Sequence, residues 1–381
     1  MGEPPFSLIA MKTIHPLLNK ERQVLARRYE KEKRILGLAG ALLSLLILVA
    51  FYFSGLSAWL ANLFRSFILT FILYVAAFQA ILAVLGMPLN FYSSYVHEHK
   101  WKFSNHTVRS WLWDEIKSFL VGLVIIYIML SLLLWTMALF PRAWWLVAGV
   151  AFALVSVVLA TIFPVVVLPL FNKYTPIENK ELTDALEKIL SRGGLKSSGF
   201  FEEDMSRQTK KENAFLAGLG KTRRVVLGDN LMDKMSVAEV ESIIAHEVGH
   251  HRHRHIWKNL VIGTLQSLVV FYILNWAMRL LFSQFLANSR WNMTLLPLFF
   301  IFFGLISGFL FGPLGNSLSR FFERQADRYA LKSIEDKRAF MTALAGLADR
   351  NLSNAYPAWW VKLLYYSHPP IGERLSMAEK L

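Results

Sequence analysis

The sequence predicts a mainly α polytopic membrane protein, with six membrane helices joined to a zincin-like α+β catalytic domain. Three observations carry this reading. Of the 381 residues, 55% are hydrophobic and 14% aromatic, and the mean hydropathy is +0.39, above the apolar share of ordinary soluble domains. The excess is gathered into six long blocks rather than spread along the chain. Between two of these blocks lies His246-Glu247-Val248-Gly249-His250, a short run dense in metal-binding chemistry.

Taken in order, residues 1–34 form a basic cytoplasmic segment, with Arg22, Arg27, Arg28, Lys31, Lys33 and Arg34 near its end. Residues 35–170 hold four membrane helices, expected at 35–53, 66–89, 118–140 and 143–170, each near or above the roughly 20 residues a bilayer demands. The stretch 90–117 turns polar and aromatic, with His97, Glu98, His99 and Trp101. Pro141 makes a tight turn, and Pro164 and Pro169 kink or end the fourth helix, because proline removes a helical donor and clashes with the preceding turn. Residues 171–255 read as a catalytic segment. An amphipathic helix at 180–190 is broken by Gly193-Gly194, and short strands follow around 200–203, 214–216 and 225–227. The chain re-enters the membrane twice within 256–317, and 318–381 is polar and largely helical.

Six spans put both termini and both polar segments on one side. Lys100, Lys102, Arg109 and Lys117 fall there with the basic amino terminus, whereas the opposite loops offer little beyond Arg65, Arg142 and Arg290. The positive-inside bias therefore makes the catalytic side cytoplasmic. The formal net charge of +14 suits such loops, and no nucleic-acid-binding motif accompanies it, so nucleic acid is not an expected partner. Without cysteine there is no disulfide framework, thiolate nucleophile or cysteine–zinc site. Residues 1–18 lack the basic-then-apolar pattern of a signal peptide, and Phe6 breaks the myristoylation motif.

The metal chemistry rests on spacing. On a helix, His246 and His250 lie one turn apart on one face and can reach a single ion. Two imidazoles suit Zn²⁺, which then needs a third protein ligand and an open position for water. Glu247 stands beside the first ligand, where a carboxylate can take a proton from that water. Ser236-Val237-Ala238-Glu239 reads as a capping box, with Met235 and Val240 as a hydrophobic staple. Val237, Val240, Ile244 and Val248 then face a core. His253 returns to the face of His246 but about 10 Å along the axis, too far to share one ion. The longer zincin pattern would need histidine at 256, where this chain has Ile256. The candidate third ligand is Glu323 in Glu323-Arg324-Gln325-Ala326-Asp327. Asp327, four residues on, shares its face and could hydrogen-bond the outer nitrogen of a ligand histidine. The competing reading of this element is an ordinary charged surface helix.

The run Asn213-Ala214-Phe215-Leu216 and the run Arg224-Val225-Val226-Leu227 read as two strands joined through Gly218 and Gly220. If Asn213, Ala214 and Phe215 form an edge near the metal, an extended peptide can add to it through backbone hydrogen bonds. The competing reading is a purely structural hairpin.

These motifs together resemble the type I CAAX prenyl proteases, integral-membrane zinc metallopeptidases of the endoplasmic reticulum with bacterial relatives. The resemblance runs through most of the chain after residue 35. Pro169-Leu170-Phe171-Asn172-Lys173-Tyr174-Thr175-Pro176 is similar to the family's exit from a span, and Asn213-Ala214-Phe215 to its Asn-Ala-aromatic strand. The zinc helix and the Glu-x-x-x-Asp element also match, with His255 at the place of a further family histidine. Ser367-His368-Pro369-Pro370 with Arg374 resembles the carboxy-terminal motif. The resemblance implies one Zn²⁺ per chain on His246, His250 and Glu323, Glu247 as general base, Asp327 behind a ligand, and His368 and Arg374 bordering the site to hold substrate or the oxyanion. It implies membrane helices around a chamber capped by the catalytic domain, and a peptide or lipidated protein as substrate at the bilayer. Six spans rather than the eukaryotic seven point to a bacterial-type member in an inner membrane rather than the endoplasmic reticulum.

Three other readings stand beside this one. A protease for membrane-protein quality control, without prenyl specificity, would use the same residues. A zinc transporter or sensor would place ionisable residues inside the spans, and the six apolar runs are almost free of them. An intramembrane protease would embed the metal helix in lipid, whereas Arg252, Lys258 and the capping box place it at the surface.

Overall fold

A computed structural model of the chain describes residues 14–218, 223–282 and 284–381. The expected turn through Gly220, Lys221 and Thr222 and the first thirteen residues lie outside the described residues.

Among the described residues, six helices are long and apolar enough to cross a membrane. They begin with α1 (Lys20–Phe53), α2 (Phe67–Asn90), α3 (Val108–Leu139) and α4 (Trp144–Ile162). The soluble part then contributes α5 (Lys180–Arg192) and α6 (Val237–Arg252). The last two membrane helices are α7 (His255–Leu281) and the run from α8 (Leu296–Leu305) into α9 (Gly312–Ser333). Three further helices close the chain, α10 (Lys337–Arg350), α11 (Trp359–Tyr365) and α12 (Ile371–Lys380).

Several helices outrun their apolar stretches. The helix α1 has 34 residues and so is about 51 Å long, against a hydrocarbon core of about 30 Å. Its first turns are the basic segment itself, since Lys, Arg and Glu are good helix formers whatever their hydropathy. Asn19 caps it by accepting from the N–H of Arg22 at 3.0 Å. The fourth membrane helix does end at its prolines. It loosens into a π-helical turn at Phe163–Val167 and a 3₁₀ turn at Leu168–Leu170, as the missing proline donors require. A π turn at Ile306–Phe311 likewise joins α8 to α9, and the helix then continues out of the apolar run into the catalytic domain.

The soluble part carries a four-stranded sheet in the order β1 (Tyr174–Pro176), β2 (Phe200–Glu203), β4 (Arg224–Gly228), β3 (Ala214–Ala217). The central pair β2–β4 is parallel and the two outer pairings are antiparallel, leaving β3 at an edge. The three expected strands are present. The short β1, which contains Pro176, was not anticipated.

Among the described residues, two large cores stand beside a small cluster of Ala26, Tyr29, Phe103 and Leu352. One lies among the membrane helices, around Tyr74, Trp144, Phe271 and Met278. The other is the catalytic domain, where Leu186 and Leu190 of α5, Ile244 and Val248 of α6, Ala330 of α9, Phe340 of α10 and Leu375 of α12 meet. The segments 171–255 and 318–381 thus share a single core, and Ile14 and Leu18 from the amino-terminal segment join it. The foot of α1 is clamped to this domain. Gln23 accepts from the N–H of Ala355 at 3.0 Å, and Glu30 accepts from the N–H of Asn354 at 3.0 Å and from the hydroxyl of Tyr366 at 2.5 Å.

The capping box forms as expected. Glu239 accepts from the N–H of Ser236 at 2.9 Å, and Ser236 Oγ accepts from the N–H of Glu239 at 3.4 Å. Gly249 then lets α6 approach α9, because a Cβ there would stand 2.8 Å from Ala326 Cα and 2.9 Å from Ala326 O. Backbone cannot yield to such a contact as a flexible side chain can. The glycine inside the His-x-x-x-His pattern is therefore what brings α6 and α9 together.

Candidate metal centre

The close approach at Gly249 aims His246 and His250 of α6 at Glu323 of α9. His246 Nε2 and His250 Nε2 are 3.1 Å apart, and each lies 3.2 Å from an oxygen of Glu323. The three ligand atoms all fall within 4.8 Å of one another. Glu323 Oε2 is buried, and its approach to His246 lacks hydrogen-bond alignment, so it has no hydrogen-bond partner among the described residues. Two imidazole nitrogens and a carboxylate oxygen converging on one point, with a buried oxygen unsatisfied, is a donor set that fits a divalent cation such as Zn²⁺.

Behind this trio sits Asp327, fully buried. Its Oδ1 accepts from His246 Nδ1 at 2.8 Å, which leaves His246 Nε2 free to face the metal position. Arg374 of α12 grips the same carboxylate, donating from Nη2 to Oδ1 at 2.5 Å and from Nε to Oδ2 at 2.8 Å. Burial by itself lowers the pKa of His246, but the carboxylates of Asp327 and Glu323 beside it outweigh that and push the imidazole up to about 9. The pocket favours positive charge at this point, which is the requirement of a cation site.

A cavity of about 560 Å³ opens onto the trio, lined among others by Asn213, Ala214, Glu247, His368 and Arg374. His368 is largely exposed, with Nε2 3.3 Å from Glu323 and Nδ1 2.9 Å from Ser367 Oγ. Arg374 reaches the same cavity, although its Nε and Nη2 are engaged by Asp327. The structure thus gathers Glu247, His368, Arg374, His246, His250, Glu323 and Asp327 at one place. His253 stays out of the trio. Its ring stacks on that of His255 at 5.5 Å, facing Tyr329 edge-on at 6.4 Å.

Register decides which backbone groups β3 offers. The N–H of Gly228 donates to Asn213 O at 3.0 Å, and Phe215 pairs with Val226. In an antiparallel ladder the bonded residues alternate, so Asn213 and Phe215 turn toward β4 and Ala214 and Leu216 turn to the free edge. Asn213 and Ala214 border the cavity. Phe215 belongs to the same strand, but its backbone serves the sheet.

Two contacts escaped sequence reasoning. Arg374 was expected to border the site, and its bidentate hold on Asp327 was not foreseen. Nor was the contact of His255 with His250, 3.0 Å between Nδ1 atoms, although the crowd of histidines after His250 was the available signal.

Comparison with known proteins agrees with this geometry. A family model described as the CAAX prenyl protease N-terminal, five membrane helices, matches residues 10–173, and peptidase family M48 matches residues 176–381. The N-terminal match here contains four helices long and apolar enough to span. The "Uncharacterized metalloprotease YhfN" of Bacillus subtilis is 29% identical, over 93% of this chain and 85% of its own. CAAX prenyl protease 1 of Saccharomyces cerevisiae is 31% identical, over 80% of this chain and 70% of its own. The crystal structure of S. mikatae Ste24p superposes with a TM-score of 0.84 at 25% identity, covering 96% of this chain and 90% of that one. With its six membrane helices, its small sheet and a His-His-Glu cluster in a cavity, the chain belongs to peptidase family M48 as a membrane metalloendopeptidase of the CAAX prenyl protease type.

Proposed function

We propose that one Zn²⁺ per chain is held by His246, His250 and Glu323, and that the site hydrolyses peptide bonds near the carboxyl terminus of prenylated-type peptides. One observation supports this most: His246 and Glu323 of the trio, Glu247 and the free edge at Ala214 line one cavity. Zinc bound there would supply Lewis acidity, polarising a carbonyl and acidifying water. Glu247 takes the proton from the attacking water and passes it to the departing amine nitrogen. His368, on the open side of Glu323, donates to the carbonyl oxygen as negative charge gathers there. Arg374 borders the same cavity and keeps Asp327, and through it His246, in place. The relatives named CAAX prenyl protease support the prenylated class of substrate. The second reading, cleavage of unmodified membrane proteins, is favoured by the backbone edge at β3, which reads shape more than sequence.

Replacing Glu247 by Gln should lower peptide cleavage by about 10²–10⁴-fold with zinc retained. The check is mass spectrometry of products from a farnesylated peptide and from an unmodified membrane protein, beside metal analysis. Loss of zinc in Glu247→Gln would contradict the role of base, and cleavage of only the unmodified protein by the native chain would select the second reading.

The substrate would lie along β3, accepting from the outward N–H of Ala214. A folded, zinc-loaded Ala214→Pro variant loses that donor and should show kcat/KM lower by about 5–10-fold, the worth of one hydrogen bond. An unchanged kcat/KM would place the substrate elsewhere.

We further propose that the catalytic side is cytoplasmic, in a bacterial inner membrane, on the bias of basic residues toward that side. A reporter fused after Leu381 should then read cytoplasmic and one inserted near Ala287 should read extracytoplasmic. The reverse pair of signals would overturn the orientation.

A further inference from the structure

The two histidines of the trio are supported differently. His246 has the buried carboxylate of Asp327 on its outer nitrogen. Among the described residues, the outer nitrogen of His250 meets no carboxylate. His250 Nδ1 lies instead 3.0 Å from His255 Nδ1, and His255 Nε2 lies 2.9 Å from Gln325 Oε1. His255 is 2% exposed, and its ring stacks on Phe322 with centroids 4.3 Å apart and planes 15° from parallel. It sits at the first position of α7, one residue after Arg254, whose φ of 53° is in the left-handed region. A non-glycine residue adopts that conformation at a cost, and here it makes the sharp turn that folds His255 back over His250. The ring is therefore held on both nitrogens and one face.

The proton positions follow. A neutral imidazole has one N–H and one lone pair. Gln325 presents a carbonyl oxygen, so His255 must carry its proton on Nε2 and offer a lone pair at Nδ1. His250 must then carry its proton on Nδ1, which leaves the lone pair of His250 Nε2 for a metal. If His255 were protonated at Nδ1 instead, His250 Nδ1 would have to accept. The proton of His250 would move to Nε2, and that nitrogen could not ligate.

We propose that Gln325 and His255 form a neutral relay that fixes the tautomer and orientation of His250, as Asp327 does for His246. Both are positioning residues, and neither touches substrate or metal. One helix, α9, thereby serves the centre three times: Glu323 as ligand, Asp327 behind one histidine and Gln325 behind the other through His255. The proposal rests on the zinc reading above, and it extends that reading to two residues with no assigned role.

The test is zinc affinity of the full-length protein in detergent, by competition with a fluorescent zinc chelator at neutral pH, without substrate. Gln325→Leu removes the acceptor and should weaken zinc binding by about 10–100-fold, the usual effect of losing a partner behind a metal ligand. Gln325→Glu keeps an acceptor oxygen and should stay within a few-fold of the native chain. His255→Asn, whose carbonyl can accept from His250 Nδ1–H, should lose less than His255→Leu. Cobalt(II) in place of zinc should show altered d–d absorption bands in Gln325→Leu and native bands in Gln325→Glu. A purely structural role for Gln325 would make Leu and Glu act alike, because both discard the amide. Native affinity in Gln325→Leu, or equal weakness in Leu and Glu, overturns the relay while leaving the zinc reading intact. A native chain that binds no zinc overturns both.

Discussion

A carboxylate with no access to water organises the catalytic half of this protein. Asp327 is completely buried, and a buried charge is tolerated only with a partner and full hydrogen bonding. It has both. Arg374 holds it with two donors and His246 with a third. Those three residues come from α9, α12 and α6, so one anion ties together the helices that make the centre. Removing one partner of such a pair costs about 3–5 kcal/mol, because the other charge is stranded. The helix α12 is for this reason tied to the candidate metal centre, although it supplies none of the three clustered donors.

The second constraint is steric. Imidazoles on α6 can meet a carboxylate on α9 only if the helix axes come close, and Gly249 permits that against the backbone of Ala326. The membrane part then fixes where this assembly stands. The helix α7 follows α6 after only His253 and the left-handed Arg254, and α9 continues the last membrane helix through a π turn. Both helices that carry the His-His-Glu cluster are thus direct extensions of spans, or one turn removed from them. The foot of α1 adds a third attachment through Gln23 and Glu30.

Much of this was legible in the sequence, for local reasons. The metal helix, its capping box and the strand pieces rest on spacings of a few residues, and these survive folding. The membrane helices rest on apolar length. Helix ends were harder to place, because hydropathy stops at residue 35 while helix propensity does not, and α1 begins at Lys20. Glu323 lies far from His246 in sequence, and the family resemblance singled it out more sharply than its spacing did. The contacts of Gln325 with His255 and of Arg374 with Asp327 were not legible at all. They join residues of ordinary type on separate helices, where no periodicity records the pairing. Strand register was equally hidden, and it makes Ala214 rather than Phe215 the residue whose backbone faces the free edge.

The central claim is that two histidines on one helix and a glutamate on another hold a single metal ion. The most direct measurement is the zinc content of purified native, Glu323→Ala and His253→Ala proteins, each verified as folded. The native chain and His253→Ala should each carry one zinc, and Glu323→Ala should lose it. Zinc retained in Glu323→Ala and lost in His253→Ala would contradict the account.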